Sequence, residues 1–209
     1  MENNETNVPR IIAMANMKGG VGKTVGKTTS TICTAIALNK LGRKVEVRDI
    51  DPQGSATLWA AKARAAGGPL PFDVRVANRF TVAMPPTDPE TWVLIDTPPS
   101  QSDLIAAAVD ASSLVVLVTT PGPLDLDRMW ETAKAIDRPS SVLLTQTRAN
   151  TVALRDAERF LSDHGLARFD ATIPFKEALR RSSESGRMPS ASGYGLVANE
   201  LIEAFNGIE

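Results

Sequence analysis

Apolar residues along this chain come in blocks separated by polar, glycine-containing turns. Residues 10–16 (RIIAMAN) form a short apolar run that leads into a glycine-rich turn, and residues 28–41 then carry apolar side chains at helical spacing until Gly42 stops them. The alternation continues downstream. Strands are expected at 45–49, 72–76, 92–96, 114–119, 142–145 and 171–173, and helices at 55–66, 103–109, 124–136, 152–164, 176–185 and 194–205. Near-continuous apolar strands are those buried on both faces of a parallel sheet. Alternating β and α units of this length predict an α/β fold with a doubly wound, mostly parallel sheet, a phosphate-type loop after the first strand, and ligands at the carboxyl ends of the strands. Residues 67–71 and 84–91, rich in Gly and Pro, read as loops and not linkers, so residues 1–209 are expected to form one domain, with 1–9 flexible.

Composition narrows the classes of function. Hydrophobic residues make up 43% and charged residues 22%, which excludes a wholly disordered or fibrous chain. No apolar run approaches the roughly 20 residues that span a bilayer, and residues 1–9 lack the basic and apolar regions of a secretory signal, so a cytoplasmic location is expected. Cys33 is the only cysteine, with no partner for a disulfide or a metal site, and is expected to pack inside a helix. His164 is the only histidine, which leaves no histidine-based catalytic triad. The net charge of −1 gives no global positive field, so any DNA contact must come from a local patch.

Residues 17–24 read MKGGVGKT, directly after a strand and before a helix. Glycines let the backbone wrap closely and aim N–H groups at phosphate oxygens, a lysine adds positive charge, and the hydroxyl after it can ligate magnesium. A glycine turn with incidental lysines is the bland alternative, disfavoured by the flanking strand and helix. Two acidic segments accompany the loop: DIDPQGS at 49–55 and LIDTPPS at 94–100, each after an expected strand. An isolated aspartate before proline commonly only starts a turn; acids can also serve phosphoryl transfer, which needs charge neutralisation and an oriented nucleophile.

Together these motifs resemble the ParA/MinD class of ATPases with a lysine-signature P-loop, over nearly the whole chain, and most of all the short ParA-type partition ATPases without a separate N-terminal DNA-binding domain. The resemblance implies ATP and Mg2+ as cofactors, weak ATP hydrolase activity and an ATP-dependent homodimer. Lys18 would be the signature lysine reaching phosphates across the dimer. Gly19, Gly20, Val21, Gly22 and Lys23 would cradle the phosphates in cis, with Thr24 on magnesium. Asp51 would orient the attacking water, and Asp49 and Asp96 would hold waters around the metal. Arg148, in LLTQTRANT, and Pro174, in IPF, would border the adenine. The implied function is to segregate or position DNA with a ParB-type or small centromere-binding adaptor, nucleoid-associated when ATP-bound.

The chain departs from that pattern at one point. VGKT at 21–24 is followed at once by VGKT at 25–28, so Lys27 and Thr28 duplicate Lys23 and Thr24 and four residues are extra. If the first copy keeps the loop, the first helix grows by ~6 Å and turns by ~400°, nearly restoring its phase. If the second copy starts the helix, the glycines at 19, 20 and 22 move into a longer loop. The first register is expected, because a phosphate nest depends on contiguous backbone geometry. Either register bears on catalysis, since a misplacement of about an ångström can cost roughly a hundredfold in rate.

Lys176, Arg180, Arg181 and Arg187 cluster with only Glu177 and Glu184 between them. Two such patches across a dimer could neutralise phosphates without reading bases; a solvated helix face is the alternative. Membrane positioning of the MinD kind would need a basic amphipathic terminal helix, and this chain ends ELIEAFNGIE, so no membrane partner is expected. A positioner of protein cargo and a catalytically impaired nucleotide-binding scaffold stay open as alternatives.

Overall fold

The computed structural model describes residues 9–15, 26–185 and 192–207. Among them, six strands form one sheet: β1 (Ile11–Ala15), β2 (Val45–Asp49), β3 (Asp73–Val76), β4 (Trp92–Asp96), β5 (Leu114–Thr119) and β6 (Ser140–Leu144). Their order is β3-β2-β4-β1-β5-β6 and every pairing is parallel. The chain winds outward from β1 through β2 to β3, returns to β4, then crosses β1 to build β5 and β6. The reversal of direction beside β1 opens a crevice at the carboxyl ends of the strands, the general ligand position in open α/β sheets.

Among the described residues, seven helices cover the sheet: α1 (Lys27–Lys40), α2 (Ser55–Ala65), α3 (Ser102–Ala111), α4 (Pro123–Lys134), α5 (Val152–Asp163), α6 (Glu177–Ser185) and α7 (Tyr194–Asn206). Strand side chains alternate between faces, and the core divides accordingly. Ile12 and Met14 of β1 and Trp92 and Leu94 of β4 join α1, α2, α6 and α7 on one face, where Trp92 meets Phe205 edge-on at 5.1 Å. Ile11 and Ala13, with Val93 and Ile95, pack against α3 on the other. Ala15, Val115 and Leu117 meet α3, α4 and α5 on that same side. Both faces are covered, which is why these strands read as continuous apolar runs.

Local chemistry sets the element ends. Helix α1 stops at Gly42, whose φ of +79° suits glycine; there Gly42 N–H donates to Asn39 O and Arg43 N–H to Leu38 O, satisfying the last carbonyls. The strand expected at 171–173 does not form. That stretch follows β6 through single bridges, Val142 with Arg168 and Thr147 with Pro174. Ile173 N–H still donates to Leu144 O at 2.9 Å, while the backbone N–H groups of Asp170 and Ala171 donate to the Glu200 carboxylate of α7, at 2.8 and 2.7 Å. Gly193, at φ +91°, turns the chain into α7 against the carbonyl of Thr172.

Candidate functional site

Asp49 ends β2 and Asp96 ends β4, directly opposite each other in the parallel register. The amino terminus of α1 faces them. Gly26 caps this helix with a non-helical φ of −112° and ψ of −144°, and Lys27 is its first residue. Thr28 Oγ1 donates to Asp96 Oδ2 at 2.7 Å, and Thr31, one turn on, reaches Asp96 Oδ1 at 3.1 Å and the carbonyl of Lys27 at 2.8 Å. Positions i and i+3 share a helix face, so two hydroxyls of the run TTST converge on one carboxylate.

The start of α1 differs from the lengthened helix expected above. A first helix lengthened by the four extra residues would run through Val25 and Gly26, whereas α1 starts only at Lys27. Glycine and β-branched valine are poor continuations of a helix, by up to ~1 kcal/mol for glycine. In contrast, Thr28 and Thr31 gain a buried carboxylate when the helix begins where it does.

Charge at the site is concentrated and largely out of water. Asp96 is fully buried, and its carboxyl is pushed up to about 7 by that burial, by the Asp49 carboxylate alongside, and against the lowering pull of the Thr28 and Thr31 hydroxyls and Lys27. Burial pushes the Lys27 ammonium below its usual range, opposed by attraction to Asp96 and Asp51. Lys27 therefore lies within electrostatic reach of both acids. Asp49 is also buried; its Oδ2 accepts from the N–H and hydroxyl of Thr57 at 2.8 and 2.7 Å, holding the first turn of α2, and its Oδ1 accepts from Asp51 N–H at 3.3 Å. Asp51 sits in the turn between β2 and α2, where Oδ1 accepts from Gln53 N–H at 2.9 Å and its carbonyl from Gly54 N–H at 2.8 Å. The turn-forming role open to an aspartate before Pro52 is thus realised, with the side chain half-exposed at the mouth of the site.

Two adjacent carboxylates beside a threonine hydroxyl are hard oxygen donors of the kind magnesium takes while keeping several waters. The residues present therefore fit that ion. Among the described residues, no cluster of three or more His, Cys, Asp or Glu side chains forms an all-protein metal cage.

Arg148 and Pro174 are brought together at the end of β6: Thr147 bridges Pro174, and the Arg148 guanidinium lies 5.2 Å from the Phe175 ring centre. Gln146 between them and the strand holds a left-handed φ of +55°. Of the basic cluster, Lys176 precedes α6, and Arg181 on its exposed face pairs with Glu177 at 3.4 Å. Arg180 lies on α6 as well, described by its backbone. Lys18, Gly19, Gly20, Val21, Gly22, Lys23, Thr24 and Arg187 lie outside the described residues, as do residues 1–8. No helix among the described residues is long and apolar enough to cross a membrane.

Sequence reasoning missed Thr31 and Thr57, which hold Asp96 and Asp49 in place. The three-residue spacing from Thr28 was the available signal for Thr31. Thr57 had a weaker one, its place in the first turn of the helix after DIDPQGS.

Residues 12–189 match the family profile of the CobQ/CobB/MinD/ParA nucleotide binding domain. The chain is 36% identical over 186 residues to maintenance of carboxysome distribution protein A of Gloeobacter kilaueensis, covering 85% of this chain and 82% of that protein. It is 30% identical over 241 aligned positions to the chromosome-partitioning ATPase Soj of Thermus thermophilus, covering 92% and 95%. The fold also superposes on cobyrinic acid a,c-diamide synthase from Mycobacterium smegmatis, a structure with bound ATP analogue and magnesium, with a TM-score of 0.67 at 20% identity over 97% of this chain and 98% of that one. With its six-stranded parallel sheet and an acid pair facing the first helix, the chain belongs to the CobQ/CobB/MinD/ParA family of nucleotide-binding domains.

Proposed function

We propose that this chain is an ATP-hydrolysing positioning switch that dimerises on ATP, binds DNA without sequence preference, and segregates or positions DNA with a centromere-binding adaptor of the ParB type. The observation that carries the reading is the convergence of Thr28, Asp49, Asp51 and Asp96 at the amino terminus of α1. Magnesium, held through waters on Asp49 and Asp96, would neutralise charge on the phosphates. Asp51 supports the water-orienting role: it lies at the mouth of the site with one carboxylate oxygen already fixed by Gln53 N–H. Arg148 and Pro174 support a purine site at the end of β6, where the Arg148–Phe175 pair offers a flat cationic and aromatic edge.

DNA contact is assigned to Lys176, Arg180, Arg181 and Arg187. Arg181 is exposed, and its ion pair with Glu177 is of the surface kind worth ~0–1 kcal/mol, which phosphates can displace. The test is DNA binding with and without ATP across a salt series, together with sedimentation, for the wild type and the variant with all four residues replaced by Ala. Expected are ATP-dependent dimers and salt-sensitive, sequence-independent binding that the variant loses while still dimerising. Unchanged DNA affinity in a folded, dimerising variant refutes the assignment, and identical mass distributions with and without bound ATP refute the switch.

A second reading, positioning of protein cargo, is favoured by the likeness to a carboxysome distribution protein. The two differ at the adaptor: the cargo reading expects the ATP-bound form to engage a protein on the cargo and not one at a centromere.

A further inference from the structure

We infer that the second VGKT copy, and not the first, is the working phosphate site of this chain: Lys27 is the in-cis phosphate lysine and Thr28 the magnesium hydroxyl, in place of Lys23 and Thr24. The inference rests on the proposed ATP-binding function and says which of two identical tetrapeptides serves it.

Three observations converge. A phosphate held at a helix terminus is gripped by the first free N–H groups, and those of α1 come after Gly26, which is non-helical. The hydroxyl that shares a carboxylate with magnesium must lie beside the acid at the end of β4, and Thr28 Oγ1 is 2.7 Å from Asp96 Oδ2. The lysine that neutralises phosphate must face the same space, and Lys27 lies within electrostatic reach of Asp96 and Asp51. Only one residue can start α1, and only one hydroxyl can hold that place at Asp96. With Lys27 and Thr28 there, the first copy is excluded from both positions.

The same assignment changes the spacing to Lys18. Lys18 stands five residues before Lys23 but nine before Lys27. The sequence interval from the signature lysine to its in-cis phosphate lysine is therefore four residues longer than in the family pattern.

Deleting one copy does not discriminate the two, because removing residues 21–24 or 25–28 yields the same sequence. Point substitutions do. A fluorescent ATP analogue with magnesium is titrated into wild type, Lys23→Ala, Thr24→Ala, Lys27→Ala and Thr28→Ala, and the folded state of each is checked by circular dichroism and thermal unfolding. Thr28→Ser, which keeps the hydroxyl, guards against a variant that fails for structural reasons. A lost charge-assisted hydrogen bond is expected to weaken binding at least about tenfold in Lys27→Ala and Thr28→Ala, with Thr28→Ser near wild type. Lys23→Ala and Thr24→Ala are expected to stay within about threefold, and only the Thr28 variant should lose its magnesium dependence. Greater loss in the Lys23 and Thr24 pair, or equal loss in both pairs, overturns the inference while leaving ATP binding intact. Failure of the wild type to bind the analogue overturns the proposed function with it.

Discussion

Asp96→Asn should make the nucleotide-free protein more stable at alkaline pH, and by an amount the structure bounds. The wild-type carboxyl is fully buried beside Asp49 and titrates near 7, against about 3.9 in an unfolded chain. Its folded value is raised, so the native state holds a proton that the unfolded state has lost. Stability from this group is thus fully present below pH ~4 and falls as pH rises to ~7. Three pH units of offset correspond to about 4 kcal/mol across that window, an upper bound because a buried site relaxes around its charge. Asparagine does not titrate and keeps the shape. Its carbonyl oxygen can accept from Thr28, and its amide can donate to Thr31, whose hydroxyl already has the Lys27 carbonyl to bond. The assay is urea or thermal unfolding of both proteins from pH 4.5 to 8.5 with chelator present. At ~2–4 °C per kcal/mol for a chain of this size, the variant should lead by as much as roughly 10 °C at pH 8, with the gap closing towards pH 4.5. Parallel pH profiles for the two proteins would refute the reasoning, because they would mean that the Asp96 carboxyl titrates alike in both states.

Two further outcomes test the frame around the site. Gly193→Ala should lower stability by about 1–3 kcal/mol, since φ is +91° and the added Cβ would stand 3.2 Å from Thr172 O and 3.3 Å from Ile173 Cδ1; a melting temperature within one degree of wild type would refute it. Removing one VGKT copy should leave stability within about 1 kcal/mol, because α1 already begins at the second copy, yet raise ATP turnover by restoring the interval to Lys18; equal turnover would show that the longer interval is absorbed away from the phosphates.

The sheet was legible because each strand carries its own evidence. IIAMA, WVLID and LVVLVT are apolar on both faces, and a chain that alternates such runs with helical patterns has few ways to bury them other than a parallel, doubly wound sheet. Residues 171–173 were not legible on the same basis. ATI is as strand-like as its neighbours, but the N–H of Ala171 goes to Glu200, some thirty residues later, and only Ile173 N–H reaches β6. Competition for backbone donors from another element leaves no trace in local periodicity.

The acids of the site were readable because strand ends fix them. Asp49 and Asp96 each close an apolar strand, and parallel register makes them neighbours wherever the loops go. The choice between identical tetrapeptides had no such anchor. Locally, 21–24 and 25–28 have the same propensities, the same glycine and the same charge, and an unbroken glycine loop favours the first. On the proposed assignment, what separates them lies downstream of each copy. Counting from the second, Thr28 and Thr31 both reach Asp96, and Ser30, Thr31, Ile32, Cys33, Ala35 and Leu38 are buried with Ser30 bonded to Tyr194 of α7. A helix begun four residues earlier would be nearly in phase, so its apolar face does not distinguish the registers. The Thr28–Asp96 contact does, because four residues move a helix position by ~6 Å along its axis, far beyond hydrogen-bond reach. On the proposed assignment, a duplication close to one helical turn is nearly silent in packing, and the carboxylate at the end of β4 is what separates the two copies.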